Sequence, residues 1–293
     1  TGYKHENYTQ KLIRETDLSD ILKKYGLNPD VIANLILGQE ETYLGRIIKS
    51  EIDADRMDYL VRDAHYTGVA YGVIDLERLI HTFEIKNNLL IVTERGLHAA
   101  EALLVARFLM GPTVYNHHVK RIADSMLLRA VDRAIEEKII DPKKLHTMDD
   151  IEFFSTLRNS TGYIKYIVNC IDNRQLFKKA NIKSYKELSE NAWQKLLKLK
   201  EDWKRLQKIE NELAENIGLE PGYVLIDVPR KPYFEEAGAL IEIENKIVPV
   251  SEISPLVHVL MNAQQLQWTI GIYSPKEKVD EARIVSENFL SSL

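Results

Sequence analysis

One twelve-residue window contains the residues best suited to chemistry: Ile52 to Asp63 holds four aspartates and two arginines in a segment with helical periodicity. On a helix of 3.6 residues per turn, four polar side chains share one side, next to the apolar stripe: Asp55, Tyr59, Arg62 and Asp63. Some of these carboxylates should therefore be partly buried. Carboxylates can ligate a divalent metal, and arginine can bind phosphate through its planar guanidinium group.

A solvated helix face is the alternative interpretation of this window. Two ion pairs can form along the helix surface, between residues three or four positions apart: Asp53–Arg56 and Asp58–Arg62. Each such pair contributes only about 0.2–0.5 kcal/mol, and neither requires a chemical role. The spacing of the residues fits both interpretations.

The same window belongs to a longer pattern. Residues 53–68 read Asp-Ala-Asp-Arg-Met-Asp-Tyr-Leu-x-Arg-Asp-x-x-x-Thr-Gly, and further matching segments follow: Gly72-Val73-Ile74-Asp75, Arg78-Leu79-Ile80, Arg107, Tyr115-Asn116-His117 and residues 171–178. This pattern resembles the signature of HD-domain nucleotide phosphohydrolases, and more narrowly their deoxynucleoside triphosphate triphosphohydrolase branch. The resemblance spans residues 5 to 180 and is far more specific than one short motif.

The resemblance implies a role for each polar residue of the helix face. Asp55 stands where the family has the last aspartate of its metal site. Arg56, the basic residue after it, would contact the triphosphate, and Tyr59 would pack against the sugar. Asp63, grouped here with the catalytic residues, would accept a hydrogen bond from the 3′-hydroxyl group.

Four residues outside the window also receive roles from the resemblance. Arg107 would hold the phosphates, while Tyr115 and Asn116 would line the pocket for the sugar and base. His5 matches a catalytic histidine beside the scissile phosphate, where it could donate a proton to the leaving oxygen. Without the resemblance, His5 would be read as a solvated residue and Tyr115 as a core residue.

The metal centre implied by the resemblance is incomplete in this sequence. An HD site needs an upstream histidine and a His-Asp pair besides the aspartate, because a hydrolytic divalent ion requires several fixed ligands. No His-Asp dipeptide occurs in the chain, and the family pattern places it ahead of His5. We expect the chain to be the later part of such an enzyme, with a divalent metal (Mn, Fe, Ni, Zn or Mg) held partly by a segment before Thr1. A degenerate homologue without the metal is the alternative.

Four basic residues match, or nearly match, positions where the family binds regulatory nucleotides between subunits: Arg78, Arg95, Arg174 and Lys178. The resemblance therefore implies a nucleotide activator and a homo-oligomer. His118 stands where the family has a lysine, which would weaken one contact. The alternative for Arg174 and Lys178, four residues apart on an expected helix, is a solvated helix edge.

Periodicity and turn residues predict a mainly α HD-type helical domain, residues 1–190, followed by a small α+β domain, residues 191–293. The expected helices are 41–65, 75–83, 96–137 with an interruption at Gly111-Pro112, 185–217 and 276–290. The expected strands are 89–92, 223–228, 239–243 and 268–273. Within the last domain, Asp227 and Glu242 are interpreted as charges on strand faces.

Composition limits the function further. With 39 basic and 44 acidic residues, the net charge of -5 does not favour general binding to nucleic acid or to an anionic membrane. Cys170 is the only cysteine, which excludes disulfide scaffolds and cysteine-rich zinc sites within one chain. No apolar run approaches the ~20 residues that a membrane span needs, so a cytoplasmic protein is expected.

These observations together predict metal-dependent hydrolysis of deoxynucleoside triphosphates to deoxynucleoside and triphosphate. Two rival functions stay open: a catalytically degenerate, nucleotide-sensing oligomeric scaffold, and a single-stranded nucleic-acid binder that uses the same cleft. The salt dependence of binding distinguishes the nucleic-acid binder from the other two functions. A nucleic-acid binder loses affinity steeply between low and moderate salt, whereas a mononucleotide site contacts fewer phosphates.

Overall fold

The computed structural model of the chain describes residues 4–38, 42–231 and 235–293. Fifteen α-helices lie within these ranges: α1 His5–Glu15, α2 Asp17–Lys24, α3 Pro29–Leu37, α4 Tyr43–Ile48, α5 Ala54–Thr67, α6 Leu76–His81, α7 Leu97–Met110, α8 His118–Glu136, α9 Asp150–Arg158, α10 Gly162–Asp172, α11 Glu190–Glu201, α12 Trp203–Glu215, α13 Val250–Ile253, α14 Pro255–Leu266 and α15 Val279–Ser291. The same ranges contain seven strands: β1 Phe83–Lys86, β2 Leu89–Thr93, β3 Lys178–Ser184, β4 Leu225–Asp227, β5 Leu240–Ile243, β6 Lys246–Pro249 and β7 Thr269–Ser274.

The chain forms two compact units, each built from two stretches of sequence. The first unit comprises Thr1–Val114 and Tyr233–Gln264, and the second comprises Tyr115–Pro232 and Gln265–Leu293. The expected boundary between residues 190 and 191 falls inside the second unit, so the compact units divide the chain differently from the sequence-based domains. The fold class is as predicted, mainly α-helical with a small α+β part.

Two hairpins build the four-stranded sheet of the first unit, in the order β1-β2-β5-β6. Each hairpin has a two-residue turn in which both φ angles are positive, Asn87-Asn88 in one and Glu244-Asn245 in the other. Such turns match the right-handed twist of the paired strands. β2 and β5 pair in parallel, which joins the two sequence stretches of the unit into one sheet.

α7 contributes much of the core of the first unit. Its buried residues are Ala99, Ala100, Leu103, Leu104, Ala106 and Met110. The helical segment Glu94–Tyr115, 22 residues long, passes a length-and-composition test for a membrane span, contrary to the expectation that no apolar run approaches that length. The core helix of a globular protein passes the same test. Leu103, Leu104 and Met110 of α7 are fully buried within the protein, as in the core helix of a globular unit.

An antiparallel sheet in the order β3-β7-β4 lies in the second unit, between two apolar clusters. In one cluster Trp193 stacks on Trp268 with ring centroids 4.0 Å apart. The other cluster packs α8 and α10 around Met126. β7 contributes to both, Ile272 to the first and Tyr273 to the second, since successive residues of a strand point to opposite faces of the sheet.

Two helices expected to be long are each divided by a capping aspartate. The expected helix 41–65 becomes α4 and α5, because the Asp53 carboxylate accepts a hydrogen bond from the backbone N–H of Arg56 at 2.7 Å. The expected helix 185–217 becomes α11 and α12, and Asp202 caps α12 through the N–H of Arg205 at 3.2 Å. An aspartate can therefore begin a new helix even where the helical spacing of apolar residues continues without interruption. Glu41 lies outside the described residues.

The segment around Arg174 differs from the expectation of a helix. α10 ends at Asp172, Arg174 has a φ of 56°, and Lys178 is the first residue of β3. The interpretation of Arg174 and Lys178 as neighbours on a helix edge is therefore wrong. The other expected elements are present with shifted ends: α6, α15, β2, β4, β5 and β7.

Candidate functional site

Asp53 fixes the start of α5, the helix that carries most of the candidate residues. This aspartate is buried and accepts hydrogen bonds from the backbone N–H groups of Arg56 at 2.7 Å and Ser50 at 3.2 Å. The Arg56 guanidinium donates in turn to Asp53 and to the backbone carbonyl of Ser50. These bonds satisfy the start of the helix and tie it to the preceding turn, so the positions of the side chains along α5 are set from Asp53.

The side chains of α5 range from exposed to buried around the circumference of the helix. Asp55 is exposed, Tyr59 and Asp63 are half-buried, and Leu60 and Ala64 are buried. Each residue advances the helix by about 100°, so Asp55, Tyr59 and Asp63 form a row beside the apolar stripe. The expectation of a partly buried carboxylate is confirmed for Asp63, while Asp55 is open to solvent. We call these three residues and Arg56 the α5 row.

Both ion pairs of the alternative interpretation are also present. Arg62 and Asp58 form an exposed pair at 2.9 Å, which contributes only a few tenths of a kcal/mol. Arg56 pairs with the buried Asp53, so its guanidinium has a structural role. A guanidinium carries five N–H donors, and this structural role is compatible with a further contact to phosphate.

Arg107 lies in the last turn of α7, a helix that packs against α5 in the first unit. Its side chain is half-buried. The chain also passes close to α5 at Gly72, where an added Cβ would lie 2.3 Å from the Cβ of Ala64, so only glycine fits. The first unit thus carries the α5 row and Arg107 on two packed helices.

The helix type changes from α to π after α7. Residues Gly111–Tyr115 form a π-helical turn, because Pro112 has no N–H to continue the α-helical hydrogen bonds. The predicted interruption at Gly111-Pro112 is therefore confirmed. Such π turns are frequent at functional sites. Tyr115, half-buried, ends the turn and the exposed Asn116 follows it; both belong to the second unit.

His5 is the first residue of α1 and is exposed. Its Nδ1 atom lies 3.4 Å from Oε2 of Glu6, and Oε1 of Glu6 accepts a hydrogen bond from Nζ of Lys49 at 3.0 Å. Hydrogen bonds from the backbone and from Lys49 hold the pKa of Glu6 below its usual value. Lys49 caps the end of α4, four residues before Asp53, so a chain of polar contacts links His5 to the turn before α5.

The basic residues expected to bind a regulatory nucleotide are all exposed. Arg78 lies in α6 and Arg95 in the single 3₁₀ turn before α7, both in the first unit, whereas Arg174 and Lys178 belong to the second unit. Burial lowers the pKa of His118, and Lys179 and His117 add to this effect. This shift favours the neutral form of the His118 imidazole, whereas the lysine expected from the resemblance would carry a charge.

The described ranges contain no group of three His, Cys, Asp or Glu side chains that could hold a metal ion. The adjacent His117 and His118 have ring centroids 4.4 Å apart, and they do not belong to any such group. Asp55, the expected ligand, therefore has no cluster of further donors around it within the described part of the chain.

The model of one sequence family, described as the HD associated region, matches residues 74–291. The chain belongs to this family. The uncharacterized protein MJ1154 of Methanocaldococcus jannaschii is 37% identical over 286 residues, which are 96% of this chain and 60% of the relative. The uncharacterized protein YwfO of Bacillus subtilis is 32% identical over 56% of this chain and 38% of its own length. A protein of Dictyostelium discoideum named deoxynucleoside triphosphate triphosphohydrolase SAMHD1 homolog is 24% identical over 60% of this chain and 37% of its own length.

The HD-associated chain spans at most 60% of the length of these relatives. Among solved structures, a hypothetical protein from Aquifex aeolicus superposes with a TM-score of 0.72 at 26% identity, over 97% of this chain and 72% of the other. A phosphohydrolase from Bacteroides thetaiotaomicron superposes with a TM-score of 0.68 at 19% identity, over 94% of this chain and 73% of the other. The chain therefore has an HD-type, phosphohydrolase-like fold.

Sequence reasoning missed a buried ion pair in the second unit of the HD-associated chain. The guanidinium of Arg129 donates to Glu210 through Nε at 2.7 Å and Nη2 at 2.6 Å, and it lies 3.8 Å from the ring centroid of Trp203. Glu210 is fully buried and also accepts from the backbone N–H of Ile226 at 2.6 Å. The paired residues are 81 positions apart, and no local pattern predicts such a contact.

Asp227, interpreted from the sequence as a charge on a strand face, lies at the end of β4 and is paired within the second unit. It is half-buried, and its Oδ2 accepts hydrogen bonds from Nε of Arg121 at 2.6 Å and from the hydroxyl group of Tyr273 at 3.0 Å. Glu242 does lie on a strand face, where it accepts from Nζ of Lys86 at 2.6 Å. Apolar alternation along a strand predicts which residues face outward, but it does not reveal what packs against them.

Proposed function

We propose that this chain is part of a metal-dependent HD-superfamily phosphohydrolase that converts deoxynucleoside triphosphates to deoxynucleoside and triphosphate. The observation that carries the proposal is that the α5 row and Arg107 lie on two packed helices, α5 and α7, of an HD-type fold. The similarity to a protein named deoxynucleoside triphosphate triphosphohydrolase supports the choice of substrate.

The proposed reaction breaks the bond between the α-phosphorus and the 5′-oxygen of the nucleotide. The oxygen of a water molecule forms the new bond to the α-phosphorus and releases one proton to solvent, while the 5′-oxygen takes up one proton and leaves as the hydroxyl group of the deoxynucleoside. Arg107 and Arg56 stabilise the negative charge of the triphosphate. His5, at the start of α1 and next to Glu6, is the proposed proton donor to the leaving oxygen.

The sugar would be recognised along the middle of α5. Tyr59 is half-buried and presents an aromatic ring between Asp55 and Asp63 along the row. Its packing against the sugar would leave little room for a 2′-hydroxyl group, while Asp63 would accept a hydrogen bond from the 3′-hydroxyl. Tyr115 and Asn116 are proposed to line the pocket for the sugar and base.

The described residues do not by themselves fit a divalent metal, because no three candidate ligands lie close enough together. Asp55 would contribute one exposed carboxylate, and the other ligands would have to come from outside the described part of the chain. A bound divalent ion would supply an activated water molecule. Its identity among Mn, Fe, Ni, Zn and Mg is left open by a single carboxylate ligand.

Sugar preference tests the proposal in the full-length protein. Hydrolysis of paired dGTP and GTP should favour the deoxyribonucleotide by about ten- to a hundredfold, since a clashing or unpaired buried hydroxyl costs roughly 1–3 kcal/mol. Tyr59→Ala should reduce that preference, and Asp63→Asn should slow dGTP hydrolysis without accelerating GTP hydrolysis. Arg62→Ala, at an exposed position of the same helix, is the matched control.

The readout is the release of triphosphate, separated from single phosphate by ion-exchange chromatography. Equal rates for the two sugars would contradict the proposed role of Tyr59. Release of single phosphate would contradict attack at the α-phosphorus and would assign the protein to another branch of the HD superfamily.

A second candidate function is the catalytically degenerate, nucleotide-sensing scaffold. The pairing of Arg56 with Asp53 and Ser50 favours it, because the arginine is then explained without a phosphate. Nucleotide binding without hydrolysis in the full-length protein would support the scaffold. A nucleotide activator held by the exposed Arg78, Arg95, Arg174 and Lys178, with a cytoplasmic homo-oligomer as the acting species, stays part of the proposal under either function.

A further inference from the structure

A cavity of about 220 Å³ lies inside the second unit, lined by residues of α8, α11, α12 and β4. One water molecule requires only about 10–15 Å³, so this space is large enough for a small organic molecule. Much of the wall is apolar and includes Trp203 and Leu225. The cavity contains none of the residues assigned above to the phosphohydrolase site.

The wall beside Trp203 is held rigidly by the buried ion pair. The Arg129 guanidinium is fixed by two hydrogen bonds to Glu210 and lies over the Trp203 ring. Glu210 is anchored in turn to the backbone of β4 at Ile226. A ligand entering the cavity would therefore meet a preformed surface and would not have to order a flexible one.

Four polar residues reach the cavity, and three of them are already satisfied. Ser125 donates its hydroxyl hydrogen to the backbone carbonyl of Arg121 at 2.8 Å. Arg129 is neutralised by Glu210, and Asp227 is neutralised by Arg121. The fourth is Lys200.

Lys200 is half-buried and forms no ion pair within the described part of the chain. Removal from water lowers the pKa of its amine; Asp227 opposes this shift, while Arg230 and Arg121 add to it. Asp227 is the one carboxylate among these groups, and it is already paired with Arg121 at 2.6 Å. A partly desolvated ammonium group in an apolar wall gains most from an anion, because an anion replaces the lost hydration and balances the charge.

We propose that this cavity binds a small organic anion, with a carboxylate or phosphate group at Lys200 and an apolar or aromatic body against the wall that includes Trp203. The number of polar groups is small and the wall is mostly apolar, as in other small-molecule sites. The amine of Lys200 favours a negatively charged ligand, and the apolar wall favours a ligand with an apolar or aromatic group.

Calorimetric titration of the 293-residue chain with four probes tests the proposal: phenyl phosphate, benzoate, benzyl alcohol and inorganic phosphate. At least one aromatic anion should bind saturably, at least about tenfold more tightly than benzyl alcohol or inorganic phosphate. Comparison of phenyl phosphate with benzoate then shows which anionic group the site prefers. If benzyl alcohol bound as tightly as the aromatic anions, the negative charge would contribute nothing and the proposal of an anion site would be wrong. If inorganic phosphate bound as tightly as phenyl phosphate, the apolar wall would contribute nothing to binding. No saturation by either aromatic anion up to about 10 mM would overturn the proposal.

The role of Lys200 is tested separately by Lys200→Met, which should weaken the binding of the preferred anion by at least about tenfold. Lys198→Met, at an exposed position of α11, is the matched control and should leave the affinity unchanged. In the unmodified chain, the bound anion should slow acetylation of Lys200 but not of Lys198, as measured by peptide mass spectrometry. This protection measurement decides the question if the variant does not fold, and unchanged acetylation of Lys200 at saturation would contradict the assignment.

Discussion

Arg107 is the residue whose replacement best separates a binding role from a structural role. In the full-length protein, Arg107→Ala should weaken binding of dGTP by about ten- to a hundredfold, because a charge-assisted contact to phosphate contributes on the order of 1.5–3 kcal/mol. The melting temperature should change little. Calorimetric titration beside a thermal melt measures both effects.

The matched control is Arg62→Ala, which removes an exposed arginine from α5 and should change neither quantity. Unchanged affinity for dGTP together with a large fall in melting temperature would show that Arg107 supports the packing of α7 and does not hold the nucleotide.

Asp132 gives a prediction about pH. It lies 3.3 Å from Nη1 of Arg129, and burial raises its pKa to about 6, although Arg129 opposes that shift. The folded state then binds the proton more tightly than the unfolded state, whose pKa is 3.8. The contribution of this group to stability is therefore full below about pH 4 and is lost as the pH rises to about 6.

Asp132→Asn removes the charge while keeping an oxygen that can accept from Arg129. In urea denaturation, the variant should be more stable than the natural chain at about pH 7.5 and nearly equal to it at about pH 4.5. Asp124→Asn, at an exposed position of the same helix, should show no such dependence on pH. Equal destabilisation by Asp132→Asn at both pH values would mean that the ionised carboxylate stabilises the fold through Arg129.

The partial burial of a carboxylate in the α5 row was predictable from residue spacing, whereas the partners of individual charges were not. The row follows from the helical repeat, which places Asp63 beside the apolar stripe. By contrast, the pairing of Arg129 with Glu210 depends on how distant helices pack. Spacing also gave no indication that Asp53, rather than Asp55, is the buried carboxylate at the start of α5, because capping depends on the backbone turn before the helix.

At the scale of the element, α5 depends on its capping aspartate. Asp53→Ala should lower the free energy of unfolding by about 2–3 kcal/mol, since it removes a helix cap and leaves the half-buried guanidinium of Arg56 without its carboxylate. Asp55→Ala should cost less than about 0.5 kcal/mol, because that side chain is exposed. Urea denaturation of the two variants measures the difference.

Asp58→Ala serves as a further control for loss of one negative charge on the same helix. If Asp53→Ala proved as mild as Asp58→Ala, the start of α5 would be set by packing and not by the cap. In the full-length protein, Asp55→Ala should still abolish hydrolysis despite its small effect on stability, since a missing anionic ligand impairs a hydrolytic metal site.

Elements with a strong local signal were predicted, and elements made by distant contacts were not. The turn Asn87-Asn88 marks the β1–β2 hairpin because asparagine tolerates positive φ. β3, with the sequence Lys-Lys-Ala-Asn-Ile-Lys-Ser, lacks a clear apolar alternation and forms by pairing with β7, about 90 residues away. Capping by Asp202 likewise divided a run whose apolar spacing favours one continuous helix.

At the scale of the whole molecule, the distribution of candidate ligands predicts the metal content of this chain. Purified by gel filtration in the presence of excess Mn²⁺ or Zn²⁺, the 293-residue chain should retain less than about 0.1 ion per molecule after chelator treatment, because Asp55 is not clustered with further donors in the described ranges. Elemental analysis measures the ion. A stoichiometric, chelator-resistant ion would contradict this prediction and would require ligands from the segments that lie outside those ranges.

The parallel pairing of β2 with β5 has a consequence for the order in which the protein can fold during its synthesis. β2 leaves the ribosome about 150 residues before β5, which at 5–20 residues per second is a delay of roughly 8–30 s. Throughout this interval the edge of β2 has no strand to complete it, and an unpaired edge is a site for association with other chains. Nascent chains that stall between these two strands should therefore depend on chaperones more than chains that stall after β6.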